Sequence, residues 1–373
     1  MARRLRLGMV GGGEGGFFGT AHRAAARLTD RFELVAGAFS SDASKAARSA
    51  EALLVAPERS YGDFRAMAEA EARRDDGIDV VSVVLPNHLH HAAARAFLEN
   101  GIHVVCDKPV TTTLADARDL GDLASRAGLL FAVTYTNAGY GIVRDAREIV
   151  ASGRLGEIRV VKVDFSQGWL SSPVERDGNK QAEWRTDPAR SGAGCLADIG
   201  THAFHLAEYV SGLQCRSLLA VVDTLVPGRR VDDNADLLLR FDNGARGGIW
   251  VSQVATGQSG GPVLRIFGTR GGLQWKGDDP NRLLVSELDG RTQIVERAGP
   301  QSRNPGRLPP GHPEGFVEAL SRIYDDVADR LMHRHDAAPV RSPQAPMPDI
   351  ADGIRGLMMV EAALRSGGDW IDL

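Results

Sequence analysis

Apolar positions in the first third of the chain fall in short unbroken runs, separated by alanine-rich stretches with polar faces. LRLGMV (5–10), FELVAGAF (32–39), IDVVSVVLP (78–86), IHVVC (102–106) and LLFAVTY (129–135) are apolar through most of their length. Runs of that kind are strands buried on both faces. Residues 20–28, 43–54, 63–74, 90–101 and 114–128 have helical composition, the fourth ending on Gly101. Strand and helix in alternation predict a doubly wound parallel sheet with helices on both faces, ending near residue 137.

The pattern then changes. Residues 142–153 predict a helix and IRVVKVDFSQ (158–167) a strand, followed by a polar segment over 171–194. CLADIGTHAFHLAEYVSG (195–212) reads as one helix stopped by Gly212. Strand candidates follow at hairpin spacing over 217–226, 235–244, 245–253, 263–268 and 273–277, with the Asn-Gly of FDNGA as a turn of the primed type. An amphipathic helix over 312–331, a Pro-rich loop over 338–349 and a last helix over 349–366 complete the chain. The expected organisation is a first domain of residues 1–137 and an α+β domain of residues 138–373 with a large, mostly antiparallel sheet. The last helix is a candidate to pack back on the first domain.

Composition narrows the chemistry. A length of 373 residues suits two domains rather than one core. A net charge of −4 gives no footprint for nucleic acid or an anionic membrane. Three cysteines without a CxxC spacing exclude a disulfide framework, and no apolar run reaches membrane-spanning length. The basic start is too short and glycine-broken for a secretory signal, so a cytoplasmic protein is expected.

LGMVGGGEGGFFG places Gly11, Gly13 and Gly16 in G-x-G-x-x-G register between the first strand and the first helix, with Phe17 next. In that context the motif predicts a Rossmann dinucleotide site. Gly11 makes the tight turn, Gly13 admits the pyrophosphate, Gly16 allows close helix–strand packing, and the helix N-terminus faces the phosphates. The second strand ends without an acid, at Ser40-Ser41-Asp42, with Lys45 downstream. Ser40, Ser41 and Lys45 suit a 2′-phosphate, which leans the expectation from NAD to NADP. Asp42 stays a candidate for the ribose of NAD.

Ligands of an open parallel sheet lie at the carboxyl ends of its strands. Pro86, Asn87 and His90 follow one strand end there, and Asp107 and Lys108 follow the next. Asp198 and His202 are spaced i, i+4 near the start of a helix, so a carboxylate and an imidazole share one face, as a general base requires. His205 is three residues on. HLHH and HAFH lack a zinc-site spacing, and no metal is expected.

The glycine-rich turn, LPNHLH, DKP and GAGCLADIGTH together resemble the Gfo/Idh/MocA oxidoreductases, over nearly the whole chain. The resemblance implies that Lys108 is the catalytic lysine, with Asp107 in place of the usual Glu. It implies a cis bond before Pro109, a substrate-binding Asp198 and a catalytic His202. His205 stands where many members carry Asp. Thr134, Tyr135, Asn137 and Tyr140 replace a frequent Arg and are candidates to shape the pocket, together with Trp169, Trp184 and Arg185. The implied activity is NAD(P)-dependent hydride transfer at a secondary alcohol of a sugar, glycoside or cyclitol, by a homodimer or homotetramer. Two alternatives stand beside it: a glycoside hydrolase using transient oxidation by a held NAD, and a non-catalytic dinucleotide-responsive binding protein. An intact Lys/Asp/His set weighs against the latter.

Overall fold

The computed structural model describes residues 3–333 and 346–373, so most of the Pro-rich loop lies outside the described residues. In the first part of the chain, β1 (Leu5–Gly11), α1 (Phe17–Leu28), β2 (Phe32–Ala38), α2 (Ala43–Ala52), α3 (Phe64–Ala72), β3 (Val80–Val84), α4 (His90–Glu99), β4 (His103–Cys106), α5 (Leu114–Ala127) and β5 (Phe131–Val133) alternate as the pattern predicts. The five strands form one parallel sheet in the order β2-β1-β3-β4-β5. Strand order reverses beside β1, which opens a crevice at the carboxyl ends of β1 and β3. Beyond β2 the sheet shrinks to a single bridge, Gly37 with Ser60. Val80, Val81, Val104 and Val105 are fully buried, as unbroken apolar strands require.

The second sheet has nine strands. It is preceded by α6 (Gly141–Ala151) and built from β6 (Ile158–Ser166), then α7 (Lys180–Arg185), α8 (Pro188–Ser191), α9 (Thr201–Ser211), β7 (Cys215–Asp223), β8 (Asn234–Phe241), β9 (Arg246–Ser252), β10 (Val263–Gly268), β11 (Gly271–Lys276), β12 (Asp279–Glu287) and β13 (Thr292–Glu296). The chain ends in α10 (Phe316–His333), α11 (Ile350–Ser366) and β14 (Ile371–Asp372). The sheet order is β13-β12-β11-β10-β6-β9-β8-β7-β14. β6 and β9 pair in parallel and the other neighbours are antiparallel. β8 shows the one-sided burial of such a sheet: Ala235, Leu237, Leu239 and Phe241 point into the core, while Asp236, Leu238 and Arg240 are exposed. The core they enter also holds Phe204, Leu206 and Val210 of α9 and Met359 and Val360 of α11.

Several expectations change. β12 and β13 extend the sheet beyond the expected strands: β12 buries Leu283 and Val285 and β13 buries Val295, too few apolar positions to establish a period. The β8–β9 hairpin exists, but its turn is not primed. Gly244 alone takes a positive φ (88°), and its N–H closes onto the Phe241 carbonyl at 3.0 Å. The helix expected over 195–212 is present and stops at Gly212, but its first turn, Leu196–Gly200, is a π turn and regular α9 begins at Thr201.

By contacts the chain forms two discontinuous units, Met1–Thr136 with Phe316–Ile354, and Asn137–Gly315 with Arg355–Leu373. The sequence division at 137 placed α10 with the second domain. Its apolar face, Leu320, Tyr324, Val327 and Leu331, instead joins Leu5, Phe32 and Ala25 in the first unit's core. Only the first turn of α11 groups with that unit. Helical periodicity shows that a face is apolar, not which core receives it.

Candidate active site

In the first unit the glycine-rich loop leaves β1 through Gly11 (φ 76°) and Gly12 (φ 66°), conformations that favour glycine. A Cβ on Gly11 would lie 2.2 Å from the Val84 carbonyl oxygen, and one on Gly13 would lie 2.9 Å from the Phe39 carbonyl oxygen. The closest helix–strand approach is not at Gly16. It falls on Gly19 of α1, where a Cβ would meet the Cα of Gly12 at 2.3 Å, against 3.0 Å for Gly16. The longer run of glycines shifts that packing role one helical turn on. α1 has no side-chain N-cap and no acid in its first turn, and Phe17 is 72% exposed at its start. Uncapped N–H groups behind a cradle that tolerates no Cβ fit a dinucleotide pyrophosphate.

At the end of β2, Ser40 Oγ accepts from the Asp42 N–H at 3.1 Å, and Asp42 accepts from the Lys45 N–H at 3.0 Å. Asp42 is thus the N-cap of α2, and that hydrogen bond holds its carboxyl below the usual range. Ser41 and Lys45 are exposed. Arg48 donates to Glu14 at 3.0 Å, and the Glu14 N–H donates to Ser49 Oγ at 3.0 Å, which ties the glycine loop to α2.

The ends of β3 and β4 are joined by one imidazole. His90 is buried, with Nδ1 2.8 Å from the Pro109 carbonyl oxygen and Nε2 2.7 Å from that of Leu85. Burial lowers its proton affinity, with Asp107 and the two carbonyls opposing. Asn87 beside it is buried and lies with Pro86 in the connecting turn. Asp107 Oδ1 accepts from the Lys108 N–H at 2.9 Å and from the Thr134 hydroxyl at 2.9 Å. Burial works against the Asp107 charge, but His22, Lys108, His90 and Thr134 outweigh it and its carboxyl titrates below the usual range. The Lys108–Pro109 bond is cis. Tyr135 is fully buried. Beneath these loops His22, Ser82 and Tyr324 close a buried triangle with contacts of 2.9, 3.2 and 3.0 Å.

In the second unit Asp198 sits in the π turn and His202 in the first turn of α9. π turns recur where a helix must re-aim a side chain. Gln253 Nε2 donates to Asp198 Oδ2 at 2.8 Å, and Arg185 Nε lies 3.5 Å from the same oxygen. The Arg185 guanidinium stacks 4.1 Å from the Trp184 ring centroid. Asp232, buried, accepts from the Gly194 N–H at 2.6 Å, the Leu196 N–H at 2.7 Å and Cys195 Sγ at 3.2 Å, which pins the entry to the turn. His202 packs 6.4 Å from the Phe165 ring. His205 is buried and stacked on Tyr209 at 5.3 Å, and Tyr140 packs 5.6 Å from Trp275 against the core. Trp169 is half exposed, its Nε1 donating to Gln167 at 3.1 Å, and Asn137 is partly buried. Among the described residues no group of three or more His, Cys, Asp or Glu is placed to hold a metal, and no helix is long and apolar enough to cross a membrane.

Residues 5–135 match the oxidoreductase family model with an NAD-binding Rossmann fold, and residues 143–274 match the GFO/IDH/MocA C-terminal domain. An oxidoreductase of Bacillus subtilis is 32% identical over 100% of this chain and 98% of its own. The chain belongs to the Gfo/Idh/MocA oxidoreductases. An inositol dehydrogenase homolog of Azotobacter vinelandii, crystallised with NADH and myo-inositol, is 37% identical with a TM-score of 0.91, covering 100% of this chain and 98% of that one. Levoglucosan dehydrogenase of Pseudarthrobacter phenanthrenivorans is 25% identical over 100% of this chain and 98% of its own.

For this family member, sequence reasoning named the acid and imidazole of the second unit but missed Gln253 and Asp232. Both lie far along the chain from Asp198. The one local signal is that polar Asp232 and Gln253 bracket the apolar hairpin from 235 to 251.

Proposed function

We propose that the chain catalyses reversible oxidation of a secondary alcohol on a cyclitol, sugar or glycoside. The Asp107–Lys108 loop, pinned by Thr134 and His90 at the carboxyl edge of an NAD-binding sheet, is the observation that carries this reading. A bound nicotinamide supplies the hydride acceptor. His202 takes the hydroxyl proton, Lys108 stabilises the charge developing on that oxygen, and Asp198 accepts a neighbouring substrate hydroxyl. In this reading Asn137, Trp169, Trp184 and Arg185 of the second unit face the substrate, Tyr140 and His205 back them from the core, and Tyr135 stays buried in the first unit. A polyhydroxylated substrate matches the myo-inositol of the structural relative. With Asp42 committed to capping α2, the 2′ end is left to Ser40, Ser41 and Lys45, so we infer that NADP is accepted as well as NAD. Three free, buried cysteines support a cytoplasmic setting. The exposed sheet-face residues Val221, Leu238 and Ile294 support a homo-oligomer.

The test is a panel of inositols, hexoses and glycosides with NAD and with NADP, followed by absorbance of the reduced cofactor. Lys108→Ala is expected to lower kcat by about 100-fold or more, with dinucleotide affinity retained. Unchanged turnover in that variant removes Lys108 from the chemistry, and no reduced cofactor from any substrate overturns the reaction class.

A further inference from the structure

We propose that Gln253 is a positioning residue that fixes Asp198 as an oriented, permanently accepting carboxylate, an inference that rests on the function proposed above. Gln253 follows β9 and is 2% exposed. Its main chain has no slack: its N–H donates to the Asp233 carbonyl at 2.8 Å and its carbonyl accepts from the Leu170 N–H at 3.1 Å. The side chain is therefore delivered from a fixed point. An ionised carboxylate only accepts, so the amide nitrogen must face it, as the 2.8 Å contact from Nε2 to Asp198 Oδ2 requires.

The other groups at this turn are already engaged. Arg185 approaches the same oxygen at 3.5 Å but directs its Nη1 to the Gln181 carbonyl and Oε1 at 3.2 and 2.6 Å. Asp232 is taken up by the Gly194 and Leu196 N–H groups. Asp233 accepts from Arg229 and from the Leu225 and Val226 N–H groups. His202, one turn on, and the buried Cys195 thiol, which contacts Asp232 at 3.2 Å, are the other titratable groups of this segment. Gln253 is thus a close, neutral donor that orients the Asp198 carboxylate. An amide holds its protons across the whole working pH range, so Asp198 is never offered a proton from this side.

Gln253→Glu turns that property into a measurement. It keeps the shape but sets two carboxylates at hydrogen-bond distance, which share one proton with an affinity raised above the ordinary carboxylate value. While that proton is held, the introduced carboxyl donates as the amide does; once it leaves, the carboxylates repel. The ratio of kcat in Q253E to kcat in wild type is expected to be near one at the acid end. It then falls by up to about tenfold per pH unit above the shared ionisation. Gln253→Met, which offers no donor, is expected to lose activity equally at every pH.

A second readout needs no turnover. The introduced carboxyl binds its proton more tightly in the folded chain than in the unfolded one, so the stabilising proton is present at low pH and lost as pH rises through the folded value. The Tm difference between Q253E and wild type, measured without ligands, should widen with pH over that window. A flat Tm difference overturns the hold on Asp198. A kcat ratio that does not vary with pH, or Q253M with wild-type kcat and KM, overturns its importance for catalysis. If wild type turns over no substrate while the Tm difference still widens, the positioning stands and the proposed function falls.

Discussion

Asp232 offers a quantitative test of how the π turn that carries Asp198 is held. Its carboxylate takes two buried main-chain donors on separate oxygens, Gly194 N–H at 2.6 Å and Leu196 N–H at 2.7 Å. The backbone cannot shift to find other acceptors, because a Cβ on Gly194 would lie 1.8 Å from the Asp232 carbonyl oxygen, and Cys195 N–H bonds that same oxygen at 3.0 Å. Asp232→Asn keeps the shape and one acceptor but turns an NH2 toward the second donor. Asp232→Ala abandons both. A buried donor left unpaired costs about 1–3 kcal/mol, so the expected losses are about 1–3 for Asn and about 2–6 for Ala. For a unit of this size each kcal/mol lowers Tm by about 2–4 °C, which separates the two variants in a calorimetric scan. The second unit's transition should move and the first unit's should not. Both variants should also lose kcat, since the π turn they loosen carries Asp198. An Ala variant melting within about 1 °C of wild type would refute the reasoning, because no relaxation of a glycine-tight corner yields that result without new acceptors.

Gly19→Ala places a methyl 2.3 Å from the Gly12 Cα, a backbone clash worth about 1–3 kcal/mol, and should raise the Kd for the dinucleotide while Gly15→Ala, whose Cβ meets open space but whose φ is 79°, costs less binding. Equal affinities for the two variants by titration calorimetry would show that Gly12–Gly19 packing does not shape the site. His22 and His90 both have proton affinities lowered chiefly by burial, so below the ordinary value of about 6.5 the unfolded chain binds protons that the folded chain refuses. Tm of the first unit should therefore fall as pH drops through that region, well before the carboxylates titrate; a Tm constant from about pH 7.5 to about pH 5.5 would contradict the burial argument.

The first unit was legible because its signals are local. Val80 to Val84 is apolar but for the buried Ser82 because both faces are covered, and the glycine loop announces itself between a strand and a helix. The candidate site residues stand out for the same reason, each being a charged or basic residue at a strand end or helix start. What was lost depends on distant partners. The π turn cannot be seen in LADIG, since it follows from a carboxylate 36 residues downstream taking the Leu196 N–H. The destination of α10 depends on Tyr324 reaching His22 and Ser82 across 302 and 242 residues of chain. The G-x-G-x-x-G spacing does not mark Gly19, since Gly16 already satisfies it, whereas the close approach depends on where α1 begins.

One rule runs through both units. The carboxylates of Asp107 and Asp198 are each held through a neighbour's polar side chain or main chain rather than by their own helix or strand. Asp107 shows why a shorter acid suffices beside Lys108. Its carboxylate folds back onto the Lys108 N–H, and Thr134 from the end of β5 supplies the second donor. The acid therefore fixes the lysine's backbone at the strand end and leaves the ammonium's direction to the loop geometry that His90 sets from the other side. Asp198 is treated in the same manner, with Gln253 as the donor and Asp232 fixing the main chain. In each case a neutral donor at close range, the Thr134 hydroxyl for Asp107 and the Gln253 amide for Asp198, fixes the orientation of the carboxylate, while the cations around it, Lys108 in one unit and Arg185 in the other, favour its charge.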